Sequence, residues 1–169
     1  RVAAEAQDQA GGALGDQVKA IAQVVRVFED ENIQHVEKRV DPLADIEIIN
    51  TELIFADLAA ATKRLEKISR DAKSGDKTAI AHKATFEKIK AMLDRGELVR
   101  TLTFFEQEMP LLAELNLLTY KPTLYVLNKK SGGKNADVRD SLEKMGAPFI
   151  ELDAAIELEL NELPEKERK

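Results

Sequence analysis

From Asp41 to Leu98 the apolar positions follow a helical period. Leu58, Ala61, Leu65, Ile68 and Ala72 recur at alternating steps of three and four residues. Ala79, His82, Phe86, Ile89 and Leu93 repeat the same steps. This is the spacing of an a/d seam, and with a Ser74–Gly75–Asp76 turn between them the two stretches predict an antiparallel two-helix coil. Asp41 is a favoured N-cap, and Pro42 sits where its missing N–H would be unpaired anyway. Nearer this start, Ile46, Ile49, Leu53, Ile54 and Leu58 form a wider stripe, so the base of the first helix is expected to pack against a body as well as its partner. Roughly thirty residues at 1.5 Å rise make that helix on the order of 45 Å long. At the far end Gly75 suits a left-handed C′ position and Asp76 caps the next helix. Gly96 ends the return leg.

The flanks carry a different pattern. Residues 1–17 are rich in Ala, Gly and Gln without a sustained period and read as a lead-in. Ala20 to Phe28 is nearly continuous apolar sequence with a β-branched centre, which predicts a strand buried on both faces. Glu29 to Arg39 is a polar loop, with Ile33 and Val36 as its apolar anchors. After Gly96 a third helix is expected from about Phe105 to Leu117, its face formed by Met109, Leu112, Leu115 and Leu118. Pro110 lies inside that span, so the helix starts near it or kinks there. Thr123 to Asn128 is a second strand, Lys129 to Asn135 a polar loop, and Asp137 to Met145 a helix ended by Gly146. Pro148 to Leu152 is a third strand, and Ile156 to Leu163 is helical. Strands alternating with helices argue a parallel α/β sheet covered on both faces, with ligand sites where the strands end. Three strands are few for such a sheet, which suggests a part of a larger one.

Charge separates the two regions. Between Lys63 and Arg95 lie ten basic and five acidic side chains, a local +5, so the remainder carries −11 to give the net −6. A basic helical pair on an acidic body points to a polyanionic partner, with an ordinary solvated helix face as the alternative. The absence of cysteine excludes a disulfide framework and thiolate chemistry and agrees with a reducing cytoplasm. No apolar run approaches a membrane span, and Arg1–Glu5 leads into no signal-peptide core. The chain starts with Arg rather than Met, consistent with a start inside a longer protein.

Several stretches resemble one family. Val24–Asp30 is similar to a strand reading VVRxFED, and His35–Val36 with Val40–Ile49 is similar to HV…VDPLxDIEII. Thr51–Ile54, Ala72–Lys77 and Leu115–Thr119 with Lys121–Pro122 continue the match, the last as LNLLTxKP. On these motifs the chain resembles the Obg-like ATPases of the YchF type, within the P-loop NTPases, over most of residues 18–163. The resemblance implies a partial P-loop NTPase (Rossmann-like) sheet with an inserted antiparallel coiled-coil hairpin. It also implies hydrolysis of ATP, in some members GTP, with Mg²⁺, and association with ribosomal RNA or protein in the cytoplasm. On this reading residues 1–40 hold the lead-in and first strand, 41–98 the coiled-coil insertion, and 99–169 the remainder of the nucleotide-binding domain. Leu14–Gln17 resembles the family's LGNQ. The phosphate-cradling GxxxxGK[ST] is not among these residues, and no switch Asp-x-x-Gly is identified, so the isolated chain is expected to be inactive as a hydrolase.

The candidate base pocket follows the second and third strands. Asn128-Lys129-Lys130-Ser131 stands where P-loop GTPases carry Asn-Lys-x-Asp, in which Asn braces neighbouring loops, the Lys stem lies along the base and Asp accepts two guanine N–H bonds. Ser131 has no carboxylate, so guanine preference is expected to be lost. Asp153-Ala154-Ala155 stands at the family's Ser-Ala-Lys-like turn, whose backbone N–H groups would meet the base edge. Lys63, Arg64, Lys67, Arg70, Lys73 and Lys77 are the candidate partner-binding residues of the basic arm. His82 reads as a half-buried seam residue, and His35 has no second ligand at metal spacing. Glu157, Glu159, Glu162, Glu165 and Glu167 read as solvated surface. Beside the NTPase reading stands a non-catalytic interaction module that uses its basic arm on RNA or protein.

Overall fold

The computed structural model describes residues 19–28, 40–130 and 135–162. The expected lead-in, the loop anchors Ile33 and Val36, His35, Ser131 and the tail after Glu162 lie outside these residues. The chain divides into two compact units, Ala20–Glu47 with Thr123 onward and Ile48–Pro122. No described helix is long and apolar enough to cross a membrane.

The first unit is an α/β unit. Its strands β1 (Ile21–Arg26), β2 (Thr123–Asn128) and β3 (Phe149–Leu152) form a parallel sheet in the order β1-β2-β3. Register places Val25 beside Leu127 and Leu127 beside Glu151. Because side chains alternate along a strand, Gln23, Val25, Tyr125 and Leu127 share one buried face. A later helix covers that face with Val138 and Leu142, four residues apart on one side, and Ala147 and Phe149 complete the cluster.

The opposite face differs from the expectation. Val24 is 65% exposed and Ile150 47%, while Val126 between them is buried, so among the described residues the outer strands β1 and β3 are open on this side. β1 is therefore a half-buried strand, not one buried on both faces. Its run of β-branched and apolar residues hides the alternation that would have shown this.

The helices form where the caps predict. Helix α1 (Pro42–Lys73) runs 32 residues, and Asp41 Oδ1 accepts the Ala44 N–H at 3.2 Å. At its end the chain turns through Gly75 at φ +92°, a conformation glycine adopts without the Cβ penalty. Asp76 then starts helix α2 (Lys77–Asp94) by accepting the Thr78 and Ala79 N–H groups at 2.8 and 3.1 Å. Asp76→Ala is expected to cost about 1 kcal/mol, read as a lower denaturant midpoint with unchanged slope. Gly96, at φ +74°, closes α2 with bonds from Gly96 N–H to Leu93 C=O and from Glu97 N–H to Met92 C=O.

The second unit has its own core. Ile54, Ala61 and Ile68 of α1 cluster with Ala79, Phe86, Ile89 and Leu93 of α2, flanked by Leu58, Leu65 and Ala72. Val99, Leu111, Leu112 and Leu117 belong to the same cluster. Residues 99–122 consequently group with the helical unit, which runs to Pro122. Helix α3 (Met109–Leu115) is shorter than expected, preceded by a 3₁₀ turn at Glu106–Glu108. Pro110 lies in its first turn, where no N–H is needed, and Asn116 at φ 50° ends it. Leu111, Leu112 and Leu117 are buried while Met109 is 43% exposed, so the inward face is rotated from the predicted one.

One carboxylate ties this connection to α1. Asp57, 4% exposed, accepts the Leu118 N–H at 2.9 Å, the Thr119 N–H at 2.7 Å and the Thr119 hydroxyl at 2.6 Å. These groups begin the 3₁₀ turn Leu118–Tyr120. Burial pushes the Asp57 carboxyl above its ordinary value, against the lowering effect of the Thr119 and Leu118 donors and nearby Lys121.

Candidate functional site

The remaining helices of the α/β unit are α4 (Ala136–Lys144) and α5 (Ala154–Glu162). Their N-terminal ends follow the C-terminal ends of β2 and β3, where open parallel sheets bind ligands. The β2 end bonds to the β3 end through Lys129 N–H and Leu152 C=O at 2.9 Å. Asn128 then joins the following turns, its Oδ1 accepting the Ala154 N–H at 3.2 Å. Asp153 Oδ1 accepts the Ala155 and Ile156 N–H groups at 3.1 and 3.3 Å. It thus caps α5.

These bonds bring Asn128, Lys129, Asp153, Ala154 and Ala155 into one neighbourhood, while Ser131 lies outside the described residues. They also show how the turn differs from an open base edge. The amides of Ala154 and Ala155 already have internal acceptors, so a purine would share or replace bonds to Asn128 and Asp153.

Lys129 has a partner that the motif did not foretell. Its ammonium donates to Glu151 Oε2 at 2.6 Å. The other oxygen, Oε1, accepts from Asn135 Nδ2 at 3.0 Å and lies 3.3 Å from Arg139 Nε. The hydrogen bond from Lys129 holds the Glu151 carboxyl below its ordinary range, partial desolvation opposes it, and Asn135 and Arg139 reinforce it. Nearby, the ring of Phe28 has Lys130 Nζ 5.4 Å and Arg26 Cζ 5.8 Å from its centroid.

The basic set in the helical unit separates into two groups. Arg64 is held internally: Nη2 donates to Glu114 Oε2 at 3.2 Å, and the guanidinium carbon lies 5.4 Å from the Phe86 ring centroid. Its Nε is 2.8 Å from Glu114 Oε1 but aligned too poorly for a hydrogen bond, so that contact is ionic only. Lys63, Lys67, Arg70, Lys73 and Lys77 are all exposed. Arg70 and Lys73 line a shallow groove of about 540 Å³ with Thr62, Leu65, Glu66 and Lys90. Lys90 is paired to Asp94 at 2.6 Å. His82 is half-buried.

No family model matches the sequence. The ribosome-binding ATPase YchF of Bacillus subtilis is 40% identical over 161 residues, covering 90% of this chain and 44% of that protein. Its counterpart from Haemophilus influenzae is 37% identical over 154 residues, covering 88% and 42%. The chain belongs to the YchF family. It spans less than half the length of these curated relatives. The solved structure of the Schizosaccharomyces pombe YchF GTPase matches with a TM-score of 0.78 at 28% identity, over 90% of this chain and 44% of that one. The family's α/β fold with its small parallel sheet is thus present here.

The expected absence of a switch motif is corrected by the sequence itself. An Asp-x-x-Gly occurs at Asp8–Gly11, within the Ala/Gly-rich lead-in and outside the described residues. Glu151, Asn135 and Arg139 are not singled out by sequence reasoning, because none belongs to a motif. Their signal lies only in the topology: a charged residue inside a short strand, in register with the buried Leu127.

Proposed function

We propose that this chain is the base-binding portion of the nucleotide-binding domain of a YchF-type P-loop NTPase, carrying an inserted antiparallel coiled-coil arm. The nucleotide is ATP or GTP. The observation that carries the reading is the bond from Ala154 N–H to Asn128 Oδ1, which unites the two loops at the C-terminal ends of parallel strands. Asn128 braces the site, the Lys129 stem lines it, and the Asp153–Ala155 turn borders the base.

The residues present suit the base end of a nucleotide. They do not supply the phosphate end: no GxxxxGK[ST] occurs in the sequence, and among the described residues no three His, Asp or Glu side chains converge as a Mg²⁺ site. No phosphoryl-transfer step is therefore assigned to them, and the 169-residue chain alone is expected to hydrolyse ATP negligibly. Calorimetric titration with adenosine and guanosine tests the reading. Guanosine is expected to bind no tighter than adenosine, since Ser131 cannot accept guanine's two donors. A marked guanosine preference would contradict it.

The arm supplies the partner contact. The names of the two bacterial relatives state ribosome binding, and Lys63, Lys67, Arg70, Lys73 and Lys77 suit ribosomal RNA or an acidic ribosomal surface. Such a role is cytoplasmic. The same residues favour a second reading, a non-catalytic module that acts through the arm alone; it is preferred if ribosome association persists while neither nucleoside binds.

A further inference from the structure

Glu151 is bound more tightly than its place in the fold requires. It lies on β3 in register with Leu127, whose side chain is fully buried in the core that α4 helps to form. Strand alternation puts Lys129, two residues beyond Leu127, on that same face. A carboxylate is a costly occupant of such a position unless its oxygens are satisfied. Here both are: Oε2 by Lys129 Nζ at 2.6 Å, and Oε1 by Asn135 Nδ2 at 3.0 Å with Arg139 Nε at 3.3 Å. The Glu151 side chain is only 19% exposed, while Lys129 and Arg139 are 39% and 48% exposed. The better-buried anion thus gathers two cations that would otherwise point to solvent.

The three partners, two hydrogen-bond donors and the Arg139 cation, come from different places. Lys129 immediately follows β2, Asn135 precedes α4, and Arg139 lies on the first turns of α4. One carboxylate therefore fixes the end of one strand and the start of one helix to the neighbouring strand. With its ammonium held by Glu151, Lys129 has its alkyl stem oriented and its charge neutralised.

We propose that Glu151 is a positioning residue for nucleotide recognition: it holds Lys129 and the N-terminus of α4 in the arrangement that receives the base, without touching the nucleotide. This rests on the base-site reading given above. It makes purine affinity depend on an acid in β3 that has no place in the Asn-Lys-x-Asp pattern.

The test uses the full chain and adenosine, which asks nothing of a phosphate-binding loop. Adenosine affinity is measured by NMR titration for wild type, Glu151→Ala, Lys129→Met and the double variant. Amide exchange of Lys129, whose N–H bonds Leu152, and of Ala136 at the start of α4 is followed in parallel. Glu151→Ala is expected to weaken adenosine about tenfold and to speed exchange at both amides. The double variant should lose no more affinity than Glu151→Ala alone, because the two residues act as one unit. Glu151→Gln retains an acceptor and the side-chain shape, so it guards against a simple folding defect; an intermediate loss of affinity is expected. Unchanged exchange at both amides in Glu151→Ala would overturn the positioning role, as would additive losses in the double variant. If wild type binds no adenosine, the base-site reading fails, the recognition role fails with it, and the exchange data decide whether Glu151 still orders the strand and helix ends.

Discussion

Asp57→Ala is expected to destabilise the helical unit by about 3 kcal/mol. The substitution leaves the Leu118 and Thr119 N–H groups and the Thr119 hydroxyl without their acceptor, and each unsatisfied buried group costs about 1–3 kcal/mol, partly recovered where water enters. Against a usual total of about 5–15 kcal/mol this is a large fraction. Chemical denaturation checks it, and a loss below about 1 kcal/mol would contradict the three-bond arrangement. The pH dependence has a definite sign. Burial raises the folded-state pKa of Asp57 above its ordinary value, so its proton linkage favours the folded state most at low pH. That contribution fades as pH rises through the raised folded-state value. Wild type compared with Asp57→Asn should therefore lose relative stability as pH rises from about 3 through the weakly acidic range.

The second large effect concerns the arm. Charge reversal at Lys67, Arg70 and Lys73 together is expected to reduce co-sedimentation with ribosomes at least tenfold at low salt. If those residues meet phosphates, removing each one should flatten the logarithmic salt dependence by about 0.7–0.9, so the triple variant should flatten it by about 2–3. Arg64 is left out of the set because Glu114 and Phe86 already engage it. Arg64→Ala should lower stability through poorer packing while changing the salt slope little. Binding that is insensitive to salt, or unchanged in the triple variant, would remove the polyanion reading.

Local chemistry was legible in the sequence where one residue decides the outcome. Asp41 and Asp76 cap helices, Gly75 and Gly96 take left-handed conformations, and the three strands lie within the spans their apolar runs predicted. What was not legible needed distant partners. The exposed face at Val24 and Ile150 is invisible in a β-branched run, since burial on one face or two gives the same residues. Residues 99–122 join the helical unit through Val99, Leu111, Leu112 and Leu117, a packing that no local period encodes. Asp57 sits on a helix among apolar neighbours, and its partners lie 61 and 62 residues away. At the candidate site the motif pointed to Asn128 and Lys129, and the position after the third strand to the Asp153–Ala155 turn, as a proposal. The occupied amides and the bonds to Glu151 became visible only when β3 was placed beside β2.

The central claim is that the turns joined by Asn128 and Ala154 form a nucleoside base site. Its most direct test is residue-resolved: amide shifts of the full chain are followed during adenosine titration. The account predicts saturable shifts centred on Asn128, Lys129, Ala154 and Ala155, with the amides of α1 and α2 unmoved. Shifts absent at those four amides, or centred on the helical unit, would contradict it.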